Sequence, residues 1–324
     1  MSITNPLIQK MPPNVDGRDY VIGDIHGCFD ELIKLLKHIK FDKEKDRLFS
    51  TGDLIHRGPK SEDCLKLLFD RNTKGEKWFF PVLGNHEDID FQLNYGDDDI
   101  ILEKYENELS KLPLIYEVEH KIFGNFYIVH AELNYNTITE TPVEVNDTEL
   151  LNLLLTNDYT KKVNEYLTSD LQLGENDRQS LIWSRKVFTN YIKKYKNEIQ
   201  NGNFDFLKTN VLQNLKIFCG HNVVPFPIKI GQQYYIDTGA CFGYQNIEKV
   251  KTFSKWGSKF FSLTIVNIDT GKYYCCITSD LNNNDVQLEV EKLNLDYDKI
   301  NFKELKRGSI VKYNKELYEG ISEF

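Results

Sequence analysis

Apolar residues follow two rhythms along this chain, and the change of rhythm divides it. Three short apolar runs, "DYVIGDI" (19–25), "RLFSTGDL" (47–54) and "KWFFPVLGNHE" (77–87), each reach a glycine followed by a polar residue. Runs of this length, closed by turn residues, read as buried strands. Between the first two lies "CFDELIKLLKHIKF", where Leu32, Leu35, Leu36 and Ile39 recur at helical spacing. Asp30 and Glu31 fall in its first turn and Lys37, His38 and Lys40 in its last, the charge order that a helix dipole favours. "SEDCLKLLFD" (61–70) reads as a second helix. A strand–helix–strand–helix–strand order predicts an α/β layered fold.

Farther along, helical spacing gives way to strands. "LPLIYEVEHKIFGNFYIVHAEL" predicts a hairpin turning near Gly124. "LKIFCGHNVVP", "QQYYIDTGACFG" and "FFSLTIVNIDTGKYYCCITS" predict further strands with turns at Gly and Asp. The expected organisation is an N-terminal arm (1–18), one main domain (19–280) and a C-terminal extension (281–324). Two insertions interrupt the domain. One is acidic, near 91–115, and the other is a polar helical cap near 135–181 that contains "ELLNLLL". The polar break "DLNNND" precedes the extension, which carries an alternating strand (Val286, Leu288, Val290) and a hairpin pattern, "SIVKYNKELYEG".

Composition narrows the classes. The chain has 324 residues, 40 % hydrophobic and 27 % charged, as an ordinary globular protein does. A net charge of −9 argues against a nucleic-acid partner, which needs a basic surface. No apolar run approaches the roughly 20 residues of a membrane helix, and the N-terminus has no continuous apolar signal region. Cys28, Cys64, Cys219, Cys241, Cys275 and Cys276 show no CxxC spacing, so zinc-ribbon and redox-motif readings fail. Free thiols in a reducing cytoplasm are the expectation. Oligomeric state is left open by the sequence.

Candidate chemistry sits where the strands end. Asp24 and His26 ("GDIHG"), Asp53 ("GDLIHRG"), Asn85 and His86 ("GNHE"), His130 ("IVHAE") and His221 ("FCGHN") each follow an apolar run. Strand ends project side chains into a shared crevice. Any one of these is weak evidence, since a lone histidine after a strand is more often a satisfied polar group. As a set of Asp, His and Asn without Cys, they suit two divalent ions such as Mn, Fe or Zn. Two ions a few ångström apart can clamp a transferring phosphoryl group and acidify a water held between them.

In that order, "GDIHG", "GDLIHRG", "GNHE", "VHA" and "GH" resemble the signature of the phosphoprotein phosphatases, within the calcineurin-like metallophosphoesterases. The likeness is nearest to the bacteriophage-lambda-type serine/threonine phosphatases, with "LPLIYEV", "LIWSR" and "YIDTGACFG" as further shared segments. It covers roughly residues 20–268. The resemblance implies two packed β-sheets flanked by helices, with metals at one edge, Mn being the expected ion. It implies Asp24, His26 and Asp53 on one metal, and Asp53, Asn85, His130 and His221 on the other. Arg57 and Arg185 would hold phosphate, since a guanidinium pairs two of its oxygens. His86 would be the general acid, and a phosphorylated protein or peptide the partner. Two other readings stand beside this one. Symmetrical dinucleoside polyphosphate hydrolases share "GDIHGC" and the "RGP" ending, and a pseudophosphatase would bind without turnover, although every matched metal position is filled.

His56 departs from the family pattern, which has a carboxylate there beside the general acid. A histidine cannot neutralise a neighbouring imidazolium, so the expectation is a weaker acid at His86 and a bias toward aryl phosphates or anhydrides. Two alternatives remain at this level. Glu62, Asp63 or Glu87 could supply the missing carboxylate, or His56 could itself donate a proton or bind substrate.

Overall fold

The computed structural model describes residues 8–88, 100–122, 124–133, 181–200, 216–224, 226–230, 232–244, 261–278 and 317–321. Twelve strands form two six-stranded sheets among these residues. In chain order the strands are β1 (Ile8–Met11), β2 (Asp19–Ile22), β3 (Arg47–Ser50), β4 (Phe79–Pro81), β5 (Ile115–His120) and β6 (Gly124–Val129). They continue with β7 (Lys216–Cys219), β8 (Ile228–Ile230), β9 (Gln233–Tyr235), β10 (Ser262–Asn267), β11 (Lys272–Ile277) and β12 (Leu317–Ile321). One sheet runs β1-β5-β6-β7-β9-β8 and the other β12-β11-β10-β2-β3-β4. The helices are α1 (Phe29–His38), α2 (Ser61–Lys66), α3 (Ile100–Leu109), α4 (Lys186–Lys194) and α5 (Lys196–Gln200), with a 3-10 turn at Ala240–Tyr244.

β2, β4, β7, β9 and β10 are buried along their whole length, so both faces are covered there, which explains the unbroken apolar runs. Successive side chains on a strand point to opposite faces, and the core divides accordingly. Val21, Phe49, Phe80, Val118, Phe126, Ile128 and Phe218 come from both sheets and form the layer between them. Their neighbours Tyr20, Ile22, Leu48, Tyr127 and Val129 belong to a second cluster that includes Leu32 and Leu35 of α1. A sandwich with helices outside is the result, as the sequence led us to expect.

The parallel run β2-β3-β4 brings three strand ends to one edge, with Ile22 opposite Ser50 and Ser50 opposite Pro81. Parallel pairing of β6 with β7 does the same for the other sheet, setting Val129 opposite Cys219. The loops after β2, β3, β4, β6 and β7 carry the candidate ligands.

Several expectations meet the structure at their boundaries. Within the span read as an N-terminal arm, Ile8–Met11 add to the sheet in parallel with Ile115–Val118. Within the acidic insertion, 91–99 lie outside the described residues and α3 follows. Residues 135–180 of the cap and 281–316 of the C-terminal extension lie outside them too. Of the expected terminal hairpin, Leu317–Ile321 is a strand antiparallel to β11. The hairpin from "LPLIYEV" to "FYIVHAEL" forms in register, His120 opposite Gly124.

Candidate metal centre

Tight turns put the ligand side chains in place. His26, Asp53 and His221 have φ of +44°, +49° and +59°, in the left-handed region that non-glycine residues seldom adopt. Such strain persists when surrounding bonds over-determine it, and here they do. Ile25 and His26 N–H both donate to the Asp53 carbonyl, at 3.1 and 2.7 Å. Buried Glu87 holds the rest of the Asp53 turn. Its Oε2 accepts from Asp53 N (2.8 Å) and Gly84 N (3.2 Å), and its Oε1 from Leu54 N (2.7 Å) and Ile55 N (3.2 Å). Burial and the Asp53 charge push the Glu87 carboxyl up to about 8, while the N–H donors pull it down. Four N–H groups facing two oxygens are satisfied only by the ionised form, which is the state we assign.

Asp53 lies at the centre. Its Oδ2 is 3.3 Å from His26 Nε2 and 4.0 Å from His86 Nε2, and its Oδ1 is 3.5 Å from His130 Nε2. Asn85 Oδ1 is 2.9 Å from the same His130 nitrogen. Two groups have ligand atoms close enough to share an ion: His26, Asp53 and His86, and Asp53, His130 and His221. The first differs from the set the resemblance implied, because it holds His86 in place of Asp24. Asp24 accepts from Thr51 Oγ1 and from His221 N, both at 2.8 Å, and so lies beside the second group.

The donor set fits cations. His26 Nδ1 is 2.7 Å from the Ile55 carbonyl, and His130 Nδ1 is 2.7 Å from the Thr51 carbonyl. A carbonyl can only accept, so both Nδ1 atoms carry hydrogen and both Nε2 atoms are bare while the rings are neutral. Burial lowers the pKa of His130, and burial with His130 and Arg185 nearby lowers that of His221 much further. At His130, then, a bare nitrogen and the oxygens of Asn85 and Asp53 converge without a hydrogen among them. His221 Nε2 is buried with no hydrogen-bond partner. Asp24 and Asp237 are buried carboxylates raised by burial and, in part, by negative neighbours that include Asp53. Convergent lone pairs and negative charge ask for positive charge at this spot.

Both arginines border the cluster. Arg57 Nη1 is 3.2 Å from His26 Nε2, and its guanidinium lies 5.7 Å from the centre of the Phe242 ring. Arg185 Nη1 donates to the His221 carbonyl (2.8 Å) and to Asn222 Oδ1 (3.0 Å). Each is exposed. His56 is no ligand in either group. Its Nδ1 meets His86 Nδ1 at 2.7 Å. Burial is the largest influence on His86 and takes it down to about 3.

The sequence reading missed three residues here: Glu87 as a brace, Asp237 and Glu132. Glu132 accepts from Ser184 Oγ (2.7 Å), Val187 N (2.9 Å), Phe188 N (3.1 Å) and the Tyr235 hydroxyl (3.0 Å). It thereby caps the start of α4, next to Arg185. Its place after "VHA" was the one signal available.

A two-sheet sandwich with histidine and carboxylate ligands at its strand ends defines a metal-dependent hydrolase. The sequence profile of the Calcineurin-like phosphoesterase family matches residues 20–184, half of the chain, and the chain belongs to that family. A symmetrical bis(5'-nucleosyl)-tetraphosphatase of Actinobacillus succinogenes is 37 % identical over 128 residues, 36 % of this chain and 44 % of that protein. The chain thus spans less than half the length of that relative. Serine/threonine-protein phosphatase 2 of Salmonella typhimurium is 27 % identical over 248 residues, 72 % of this chain and 92 % of that one. Among solved structures, the cold-active protein-tyrosine phosphatase of a Shewanella species aligns with a TM-score of 0.42 at 15 % identity, over 86 % of this chain and 82 % of that one.

Proposed function

We propose that this chain is a metal-dependent phosphoprotein phosphatase that hydrolyses phosphate monoesters on serine, threonine or tyrosine. The observation that carries the reading is the bracketing of the ligand cluster by two guanidinium groups. Arg57 stands beside His26 and Arg185 beside His221, so a phosphoryl group set over Asp53 meets a planar cation at either side. Similarity along 92 % of the Salmonella protein phosphatase 2 supports the same substrate class.

Asp24, His26, Asp53, Asn85, His130 and His221 would hold the two ions, Mn being our choice and Fe or Zn accepting the same ligands. When bound, the ions supply Lewis acidity for water and for the phosphoryl oxygens. The chain's own residues do the rest. Arg57 and Arg185 orient the phosphoryl group and offset its charge. His86, reaching toward Asp53 with Nε2, stands where a leaving oxygen would receive a hydrogen bond. Glu87 keeps the Asp53 turn from relaxing, and no covalent enzyme intermediate is needed. Six buried free cysteines suit a reducing compartment, and we place the protein in the cytoplasm. No helix among the described residues is long and apolar enough to cross a membrane.

A second reading, symmetrical hydrolysis of dinucleoside polyphosphates, is favoured by tetraphosphatases that match over short spans. One is a symmetrical tetraphosphatase of Hamiltonella defensa, 56 % identical over 69 residues, 24 % of its length. Metal-loaded protein should be offered phosphoserine and phosphotyrosine peptides and diadenosine tetraphosphate, with products identified by mass. Release of inorganic phosphate from the peptides, lost in Asp53→Asn, is the expected result. Turnover of the dinucleotide alone would overturn the first reading in favour of the second.

A further inference from the structure

Asn222 is fully buried, and the two ends of its amide face two adjacent residues. Its Oδ1 is 3.0 Å from Arg185 Nη1, and its Nδ2 is 3.3 Å from the Ser184 carbonyl. A guanidinium only donates and a carbonyl only accepts, so the partners fix which end of the amide is oxygen and which is NH2. None of these groups titrates near neutral pH, and none is among the atoms that would bind the ions. The hydrogens are therefore placed by geometry alone.

Arg185 Nη1 has two hydrogens, and the chain takes both. One goes to Asn222 Oδ1 and the other to the His221 carbonyl, at 2.8 Å. Among the described residues, all hydrogen bonds of this guanidinium leave from Nη1. Its opposite edge is left over. There Nε–H and one Nη2–H run parallel, the fork that pairs two oxygens of a phosphoryl group. The backbone beneath is held as well. The Arg185 carbonyl accepts from Thr189 N at 2.8 Å in the first turn of α4, and Ser184 Oγ donates to Glu132 at 2.7 Å. The Trp183 ring meets His221 edge-on, 5.9 Å between ring centres. Asn222 grips both this backbone, at Ser184, and the guanidinium itself.

We propose that Asn222 is a positioning residue for phosphoryl binding: it occupies the second hydrogen of Arg185 Nη1, ties Ser184 to the His221 turn, and so leaves the Nε–Nη2 edge of Arg185 as the one presented to substrate. The proposal deepens the phosphoesterase reading and rests on it for the role of Arg185. The fork meets phosphoryl oxygens and not the leaving group. Asn222 thus governs how tightly a phosphoryl group is held, for monoesters and anhydrides alike. Without it, the long arginine side chain would have to be ordered each time substrate binds, a cost that the amide removes in advance.

The first test asks whether Asn222 acts through Arg185. In zinc-loaded protein, Asn222→Ala should raise the dissociation constant of inorganic phosphate about two- to tenfold, the range expected for ordering one long side chain. KM on p-nitrophenyl phosphate should rise by a like factor, more than kcat falls. In an Arg185→Ala background, adding Asn222→Ala should change neither constant further. A loss of equal size in both backgrounds would give Asn222 a merely structural role and overturn the proposal, as would an unchanged constant in the single variant. The second test leaves Asn222 in place, so it stands even if that variant does not fold. With 15N-arginine labelling, and Arg185→Lys to identify the signals, wild-type Arg185 should show two resolved Nη1 protons in slow exchange. Added phosphate should shift Nε–H and Nη2–H and leave the Nη1 protons where they were. Rapid averaging at Nη1, or a phosphate shift confined to Nη1, overturns the proposal. A wild type that neither binds phosphate nor turns over any phosphate ester would overturn the phosphoesterase reading, and the part of this proposal that concerns phosphate with it. The Nη1 signals would still decide whether Asn222 holds the guanidinium.

Discussion

Replacing Glu87 with glutamine tests whether the centre is held by its ligands or by what lies beneath them. The two side chains have the same shape. Glutamine, however, has one acceptor oxygen and one NH2, and Glu87 serves two N–H donors with each oxygen. Whichever way the amide turns, two buried N–H groups face a donor. Each stranded group costs about 1–3 kcal/mol, so the variant should lose roughly 2–6 kcal/mol. In a domain of this size each kcal/mol moves Tm by about 2–4 °C, and a fall of roughly 5–20 °C is expected in the metal-free protein. The damage is local to Gly84 and residues 53–55, so metal binding should weaken along with stability. Calorimetry with chelator and with metal gives Tm in both states, and titration with Mn gives the affinity. A variant with wild-type Tm and wild-type affinity would refute the reasoning, for the four bonds would then carry no weight. The control is Glu132→Gln, which strands one backbone donor, Val187 N–H or Phe188 N–H, according to which way the amide turns, while the Ser184 and Tyr235 hydroxyls can rotate. It should lower Tm by about half as much and raise KM through Arg185, with metal affinity retained.

Other perturbations probe separate parts. Asp53→Asn should remove at least one equivalent of bound metal by elemental analysis, since one carboxylate faces both candidate groups. In Gly220→Ala the new Cβ would overlap Asp24 Oδ1 and the Thr51 hydroxyl; soluble yield and metal content should both fall, and normal values would refute the packing. His120 gives a pH effect. Burial lowers its pKa, and Ile122 N–H donates to its Nδ1 at 3.2 Å, which requires that nitrogen bare. The unfolded chain then binds the proton more readily, so stability present above about pH 6.5 is lost as pH falls toward the lowered folded value. Thermal scans of the metal-loaded protein from pH 7 to 5 should show a shallower decline in His120→Gln, and parallel curves would count against it.

What could be read from the sequence followed from locality. Asp24, His26, Asp53, Asn85, His130 and His221 each stand just after an apolar run and beside a glycine or a strand end, so a short window gives both the residue and its place. The amphipathic pattern of α1 is equally local. Glu87 was quoted within "GNHE" and yet not understood, because its partners at 53–55 lie more than thirty residues earlier. Glu132 bonds across 55 and 103 residues to Val187 and Tyr235. The addition of β1 to the edge of β5 was hidden for the same reason, as four residues of "IQKM" contain nothing that names their neighbour.

The pairing of β10 with β2 bears on how the chain is made. Ile265 lies opposite Ile22, so the strand that precedes Asp24 gains this partner only after about 240 further residues have been added. At about 5–20 residues per second, that interval is roughly 10–50 s of synthesis. During it the first three ligand-bearing loops exist on a sheet whose inner edge is still open, and His221 is the last of the six to emerge. A nascent chain would therefore present part of its ligand set to the cell's metal pool well before the sheet that supports it is whole.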